Sequence, residues 1–168
     1  MRRLLYILLL AVFPLPANAQ EVTYRGGLLF EPVHADGVGL NQRIYVIAKD
    51  QFGFMWFGTD YGLLRYDGYR TQRINFSDKQ IAGIVNTIGI ESMAVARDTS
   101  LWIGTSRGLF RLDLQTYDIT APKRFQNVNV RALLYQDDSI IWLGTTEGLY
   151  RYNSISGTRR YYNTINTQ

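Results

Sequence analysis

The chain has 168 residues, of which 46% are hydrophobic, 14% aromatic and 19% charged, and its formal net charge is +4. That balance describes a folded domain and excludes a disordered tract or a fibre; the length admits one ordinary domain with at most a small appendage. No cysteine and a single histidine, His34, exclude disulfides, iron–sulfur clusters, thiolate zinc sites and any centre that needs two imidazoles.

Residues 1–19 read as a secretory signal peptide. Arg2 and Arg3 open it, Leu4 to Phe13 is its apolar core, and Ala17-Asn18-Ala19 is a small-x-small cleavage site. The apolar stretch is shorter than the roughly 20 residues that a membrane-spanning helix requires. Arg2 and Arg3 are two of the 18 basic residues, so residues 20–168 hold 16 against 14 acidic, a net of +2. So small an excess is no footprint for nucleic acid. Export without cysteine places the expected product in a periplasm.

A repeat organises the rest. Trp56-Phe57-Gly58-Thr59-Asp60-Tyr61-Gly62-Leu63-Leu64-Arg65 returns as Trp102-Ile103-Gly104-Thr105-Ser106-Arg107-Gly108-Leu109-Phe110-Arg111. It returns again as Trp142-Leu143-Gly144-Thr145-Thr146-Glu147-Gly148-Leu149-Tyr150-Arg151, at spacings of 46 and 40 residues. Periods of this size mark stacked or radial repeat folds. Each period divides into four short strands. An apolar first strand (Ile44 to Ala48, Met93 to Ala96, Ala132 to Tyr135) leads through an acidic hairpin to the tryptophan strand, which is apolar on both faces. Thr-x-x-Gly turns into a mixed third strand, and a polar fourth strand closes the unit, as in Tyr69 to Ile74 or Thr158 to Tyr162.

This pattern predicts an all-β fold of β-propeller type, with about three four-stranded antiparallel blades forming an incomplete, open propeller. A repeated β-sandwich or β-solenoid is the competing reading. Burial is expected to fall from the first strand of each blade to the fourth. No helix is expected after the signal peptide, and Ile81 to Ile90, with two glycines and several β-branched residues, is expected to be loop or strand. The expected divisions are a lead-in at 20–40, blade 1 at 41–76, a linker and blade 2 at 77–124, blade 3 at 125–163 and a tail at 164–168. Tyr24 to Phe30 either caps one flank of this arc or supplies the outer strand of a final blade.

With its three copies in register, the chain resembles the two-component regulator propeller repeat over roughly residues 36–163. The nearest likeness runs from Asp36-Gly37-Val38-Gly39-Leu40 through Ile44 to Gly68, ending Leu64-Arg65-Tyr66-Asp67-Gly68. The second and third copies lack the hairpin glycine that Gly53 supplies. The resemblance implies the N-terminal periplasmic sensor region of a hybrid two-component sensor histidine kinase and response regulator, apparently truncated. It implies a ligand-sensing role, carbohydrate-responsive, with no kinase activity in this portion and membrane contact only through parts further along the chain. The alternative is a small secreted carbohydrate-binding module that self-associates to close its ring.

Within the repeat, Trp56, Trp102 and Trp142 are expected to pack between blades. Gly58, Gly104 and Gly144 are expected to permit close approach, and Thr59, Thr105 and Thr145 to tie the turns that end at Gly62, Gly108 and Gly148. Function is expected where the copies differ, in the two middle turn positions: Asp60 and Tyr61, Ser106 and Arg107, Thr146 and Glu147. An aromatic ring, carboxylates, hydroxyls and a guanidinium suit an oligosaccharide by stacking and hydrogen bonding. Catalysis is not expected. His34 serves no nucleophile elbow, and Asp137 and Asp138 are adjacent in a hairpin with diverging side chains. No metal or cofactor is expected, and the expected partners are an oligosaccharide and the remaining blades or a second copy of the chain.

Overall fold

The structure, a computed structural model, describes residues 42–76, 81, 85, 88–137 and 139–162. The chain divides into Met1–Pro32 and Val33–Gln168, and every described residue belongs to the second unit. The signal peptide, the lead-in with Tyr24 to Phe30, His34, Asp36 to Leu40, Asp138 and the 164–168 tail lie outside the described residues.

Three antiparallel four-stranded meanders form the fold. The first holds β1 (Ile44–Lys49), β2 (Met55–Thr59), β3 (Gly62–Tyr66) and β4 (Thr71–Arg73) in that spatial order. The second holds β5 (Ser92–Val95), β6 (Ser100–Thr105), β7 (Gly108–Asp113) and β8 (Ile119–Thr120), and the third β9 (Val130–Asp137), β10 (Ile140–Thr145), β11 (Leu149–Asn153) and β12 (Arg159–Tyr162). A short 3-10 turn, Lys123–Phe125, precedes the third sheet. These are blades of propeller type, and the described residues do not close a ring. The register is the same in each: Gly58 lies opposite Val46 and Leu63, Gly104 opposite Ser92 and Leu109, and Gly144 opposite Ala132 and Leu149.

Sheet packs on sheet through two apolar layers. Trp56 and Leu63 of the first sheet share one core with Leu101, Ile103, Phe110 and Leu112 of the second. Trp102 and Leu109 of the second share another with Ile141, Leu143, Tyr150 and Tyr152 of the third. In that second layer Trp102 meets Tyr152 edge-on at 6.2 Å between ring centroids, and Phe125 meets Tyr152 at 5.0 Å. Asp50, buried in the β1–β2 hairpin, accepts the Trp56 indole N–H at 2.7 Å and the backbone N–H groups of Phe52 and Phe54 at 2.9 Å. In the third sheet Gln136 takes the same indole bond from Trp142, at 2.6 Å.

Burial does not fall from the first strand outward. In the first and third sheets the first strand is largely open: Ile47 is 56% exposed and Leu134 63%. The cause is position in the row of sheets. β5 lies between β1 and β9 and is half-buried or buried throughout, whereas β1 and β9 each have a neighbour on one side among the described residues. The two middle strands, each paired on both edges, hold most of the buried residues, and β6, covered on both faces, is buried at every residue. The expected absence of helix is also overturned: Ile81 and Val85 are helical. One turn apart, they face the same way, with Val85 inside the first core and Ile81 packed against it. Burial of Val85 in that core outweighs the modest helix propensity of β-branched residues.

The turn from third to fourth strand is built alike in all blades. The Asp67 carboxylate accepts the N–H groups of Tyr69 and Arg70, that of Asp113 those of Gln115 and Thr116, and the Asn153 amide oxygen those of Ile155 and Ser156. These bonds favour the ionised form, so the Arg70 and Tyr69 N–H groups hold Asp67 below the ordinary value of 3.8, and those of Thr116 and Gln115 do the same for Asp113. Since the folded value is the lower one, the stabilisation exists above the unfolded value and disappears as pH falls through the folded one. Asp113→Asn should keep the turn, as Asn153 does, and flatten the loss of stability below pH ~4, read from urea midpoints between pH ~5 and ~2. Leu101→Ala should cost about 2–5 kcal/mol in urea unfolding, against less than about 1 kcal/mol for the open Ile47→Ala.

Candidate functional site

The β2–β3 type turns carry the six residues singled out by variation between copies. In each, the threonine hydroxyl donates to the carbonyl of the closing glycine, at 2.9 Å for Thr59, 3.1 Å for Thr105 and 2.7 Å for Thr145. The same oxygen accepts the N–H of Tyr61, Arg107 or Glu147. Gly62, Gly108 and Gly148 sit at φ +110°, +147° and +144°, where other residues are strained. The repeat glycine before each threonine is held tightly in two blades. A Cβ at Gly58 would stand 2.6 Å from Val46 Cγ1, and one at Gly104 would overlap the Ser92 hydroxyl.

These six side chains do not converge. Asp60 lines a cavity of about 610 Å³. Arg107 lines a separate one of about 370 Å³ with Lys123 and Phe125. Tyr61 is exposed, and its carbonyl accepts Arg73 Nη1 at 2.7 Å. Ser106 is half-buried, and the Thr146 N–H donates to the Asn129 carbonyl at 3.2 Å. The Glu147 carboxylate accepts the Tyr150 hydroxyl at 3.0 Å, and its carbonyl accepts that of Tyr161. Burial, aided by Glu147, pushes the Tyr150 hydroxyl above its ordinary value.

The larger cavity joins residues from all three sheets: Tyr45 and Asp60 of the first, Glu91 beside the second, Arg131 of the third, with Ile88 and Gly89 between. Tyr45, Glu91 and Arg131 occupy one position of the repeat, thirteen residues before Gly58, Gly104 and Gly144. Each blade therefore contributes one side chain from the entry to its innermost strand, and the three differ in kind: a phenol, a carboxylate and a guanidinium. Arg131 Nε stands 4.0 Å from Glu91 Oε2. Asp60 Oδ1 is buried without a hydrogen-bond partner. Variation at the turn drew attention to Asp60 but missed Tyr45, Glu91 and Arg131. The constant thirteen-residue offset from the repeat glycine is the signal that finds them.

Residues 39–61 match the family described as "Two component regulator propeller". That match falls on the first copy of the Trp-x-Gly-Thr repeat and the stretch before it. The solved extracellular domain of BT4673 from B. thetaiotaomicron, described both as a one-component and as a hybrid two-component system, is similar to it. The TM-score is 0.64 at 26% identity, over 77% of this chain and 17% of that one. The extracellular domain of BT3049 from the same organism, described as a hybrid two-component system, shares the fold. Its TM-score is 0.59 at 22% identity, over 73% of this chain and 18% of that one. The chain thus spans less than a fifth of these solved chains. No curated protein sequence matches it.

Among the described residues, no cluster of three or more His, Cys, Asp or Glu side chains is placed to hold a metal ion. The larger cavity offers a ring to stack on, acceptors at Asp60 and Glu91 and donors at Arg131, a set that fits a polyhydroxylated ligand. Asp60→Ala removes a buried acceptor with nothing to accept. It should leave stability unchanged or raise it by up to about 1 kcal/mol, as read from the urea midpoint.

Proposed function

We propose that this chain is the ligand-sensing portion of an extracellular two-component sensor, responsive to carbohydrate and without kinase activity of its own. Residues 1–19 direct its export to the periplasm. The observation that carries this reading is the cavity to which each blade contributes the same repeat position. It is supported by the likeness to extracellular domains of proteins described as two-component systems. Oligosaccharide hydroxyls pair with Asp60, Glu91 and Arg131, and a pyranose face lies on Tyr45. Titration calorimetry of the chain against a panel of bacterial and plant oligosaccharides should find a binder that Tyr45→Ala and Arg131→Ala each weaken by about 1 kcal/mol or more. Absence of any binder, or indifference to both substitutions, removes the reading.

A second reading, a secreted carbohydrate-binding module that closes its ring by self-association, is favoured by one face of the third sheet. Leu149 is 41% exposed, while its counterparts Leu63 and Leu109 are 0% and 1% exposed beneath a neighbouring sheet. Trp142 on that face is half-buried, where Trp56 and Trp102 are buried. The sensor reading covers this face with a further blade, the module reading with a second copy. Light scattering after size exclusion separates them. A dimer that Trp142→Glu converts to monomer supports the module, and a monomer at all concentrations excludes it.

A further inference from the structure

The cavity at Tyr45, Asp60, Glu91 and Arg131 holds more negative charge than positive. Among the described residues its lining carries two carboxylates, Asp60 and Glu91, against the single guanidinium of Arg131. Arg131 serves only one of them, and weakly. Its Nε stands 4.0 Å from Glu91 Oε2, beyond hydrogen-bond length, and its side chain is 66% exposed, so water screens the pair. Asp60 makes no ion pair among the described residues, and its Oδ1 is buried with no donor. Arg43, whose carbonyl accepts the Asp60 N–H at 3.3 Å, makes no ion pair either.

Asp60 shares its end of the cavity with an aromatic ring and an unfilled space. Gly89 lines that end at φ +73°. A Cβ built on it would stand 3.4 Å from Asp60 Cα and 3.7 Å from Tyr45 Cε2. Aspartate and phenol therefore flank one point, and the glycine leaves it open. Tyr45 is exposed, so its ring is free to meet a ligand. A carboxylate beside a ring suits an ammonium group, which finds a counter-ion in the first and a cation–π contact on the second. A hydroxyl donates one hydrogen bond and leaves the charge in place, and an acidic sugar adds to it. We propose that the ligand of this cavity is an amino sugar with a free amine. Its ammonium lies between Asp60 and Tyr45, and its hydroxyls are shared by Glu91 and Arg131. The assignment rests on the carbohydrate reading and narrows it to a cationic saccharide.

Titration calorimetry of the full chain against four β-1,4-linked trisaccharides tests this, at low salt and a pH that keeps the amine protonated. Their units are glucosamine, N-acetylglucosamine, glucose and glucuronate, which share ring and linkage and differ in charge. The glucosamine form should bind about tenfold more tightly than the N-acetylated and glucose forms, with the glucuronate form weakest. Added salt should shrink that advantage. Asp60→Asn keeps the size of the side chain and removes its charge. It should erase the advantage of the free amine while the N-acetylated form binds as before. Binding of the glucose or glucuronate form as tight as that of the glucosamine form overturns the amine assignment and leaves the carbohydrate reading standing. So does a preference for the amine that survives Asp60→Asn. If none of the four binds while another oligosaccharide does, the amine assignment falls alone; if no oligosaccharide binds, both fall.

Discussion

The structure depends on one contact, made twice: the tryptophan face of one sheet laid on the second and third strands of the next. Trp56 and Leu63 supply it at the first junction, Trp102 and Leu109 at the second. A single four-stranded sheet cannot bury strands that are apolar on both faces, so each blade is stable only through its neighbours. The repeat glycine belongs to the same contact. It sits on the tryptophan side of its strand, where Val46 and Ile90, or Ser92 and Val130, leave no room for a methyl group. Polar groups at the junction are absorbed locally, as when Asp50 takes the Trp56 indole and two backbone N–H groups.

Much of this was legible in the sequence because it is local and repeated. The Trp-x-Gly-Thr-x-x-Gly-Leu pattern encodes a strand, a hydroxyl-tied turn and a return strand, and those interactions span only a few residues. Burial of the innermost strands was not legible. Ile47 and Met93 stand in similar apolar runs, yet one is open and the other buried, because among the described residues only β5 has a sheet on each side. The helical Ile81 and Val85 were missed for a related reason: both are β-branched, with little helix propensity of their own, and Val85 is held by the core it enters.

The site was half legible. Differences between copies pointed to the turn and so to Asp60, but a turn is where side chains diverge into solvent, and Tyr61 and Glu147 do so. The positions that converge lie at the start of the innermost strands, where side chains from different blades meet. Nothing in one copy marks Tyr45, Glu91 or Arg131 as partners, since the first is an aromatic in an apolar run and the others look like solvated charges. Only the shared register, read across copies through the glycine, aligns them.

The thirteen-residue offset separates two jobs along each innermost strand. In the first two blades the residue opposite the repeat glycine, Val46 or Ser92, touches a neighbouring layer, while in all three the one before it faces the shared cavity. Because side chains alternate sides along a strand, a substitution at the second leaves the first undisturbed. The lining can therefore be rewritten one blade at a time, phenol for carboxylate or carboxylate for guanidinium, with the scaffold unaltered. The chemistry presented at that address is thus set blade by blade, independently of the architecture that holds it.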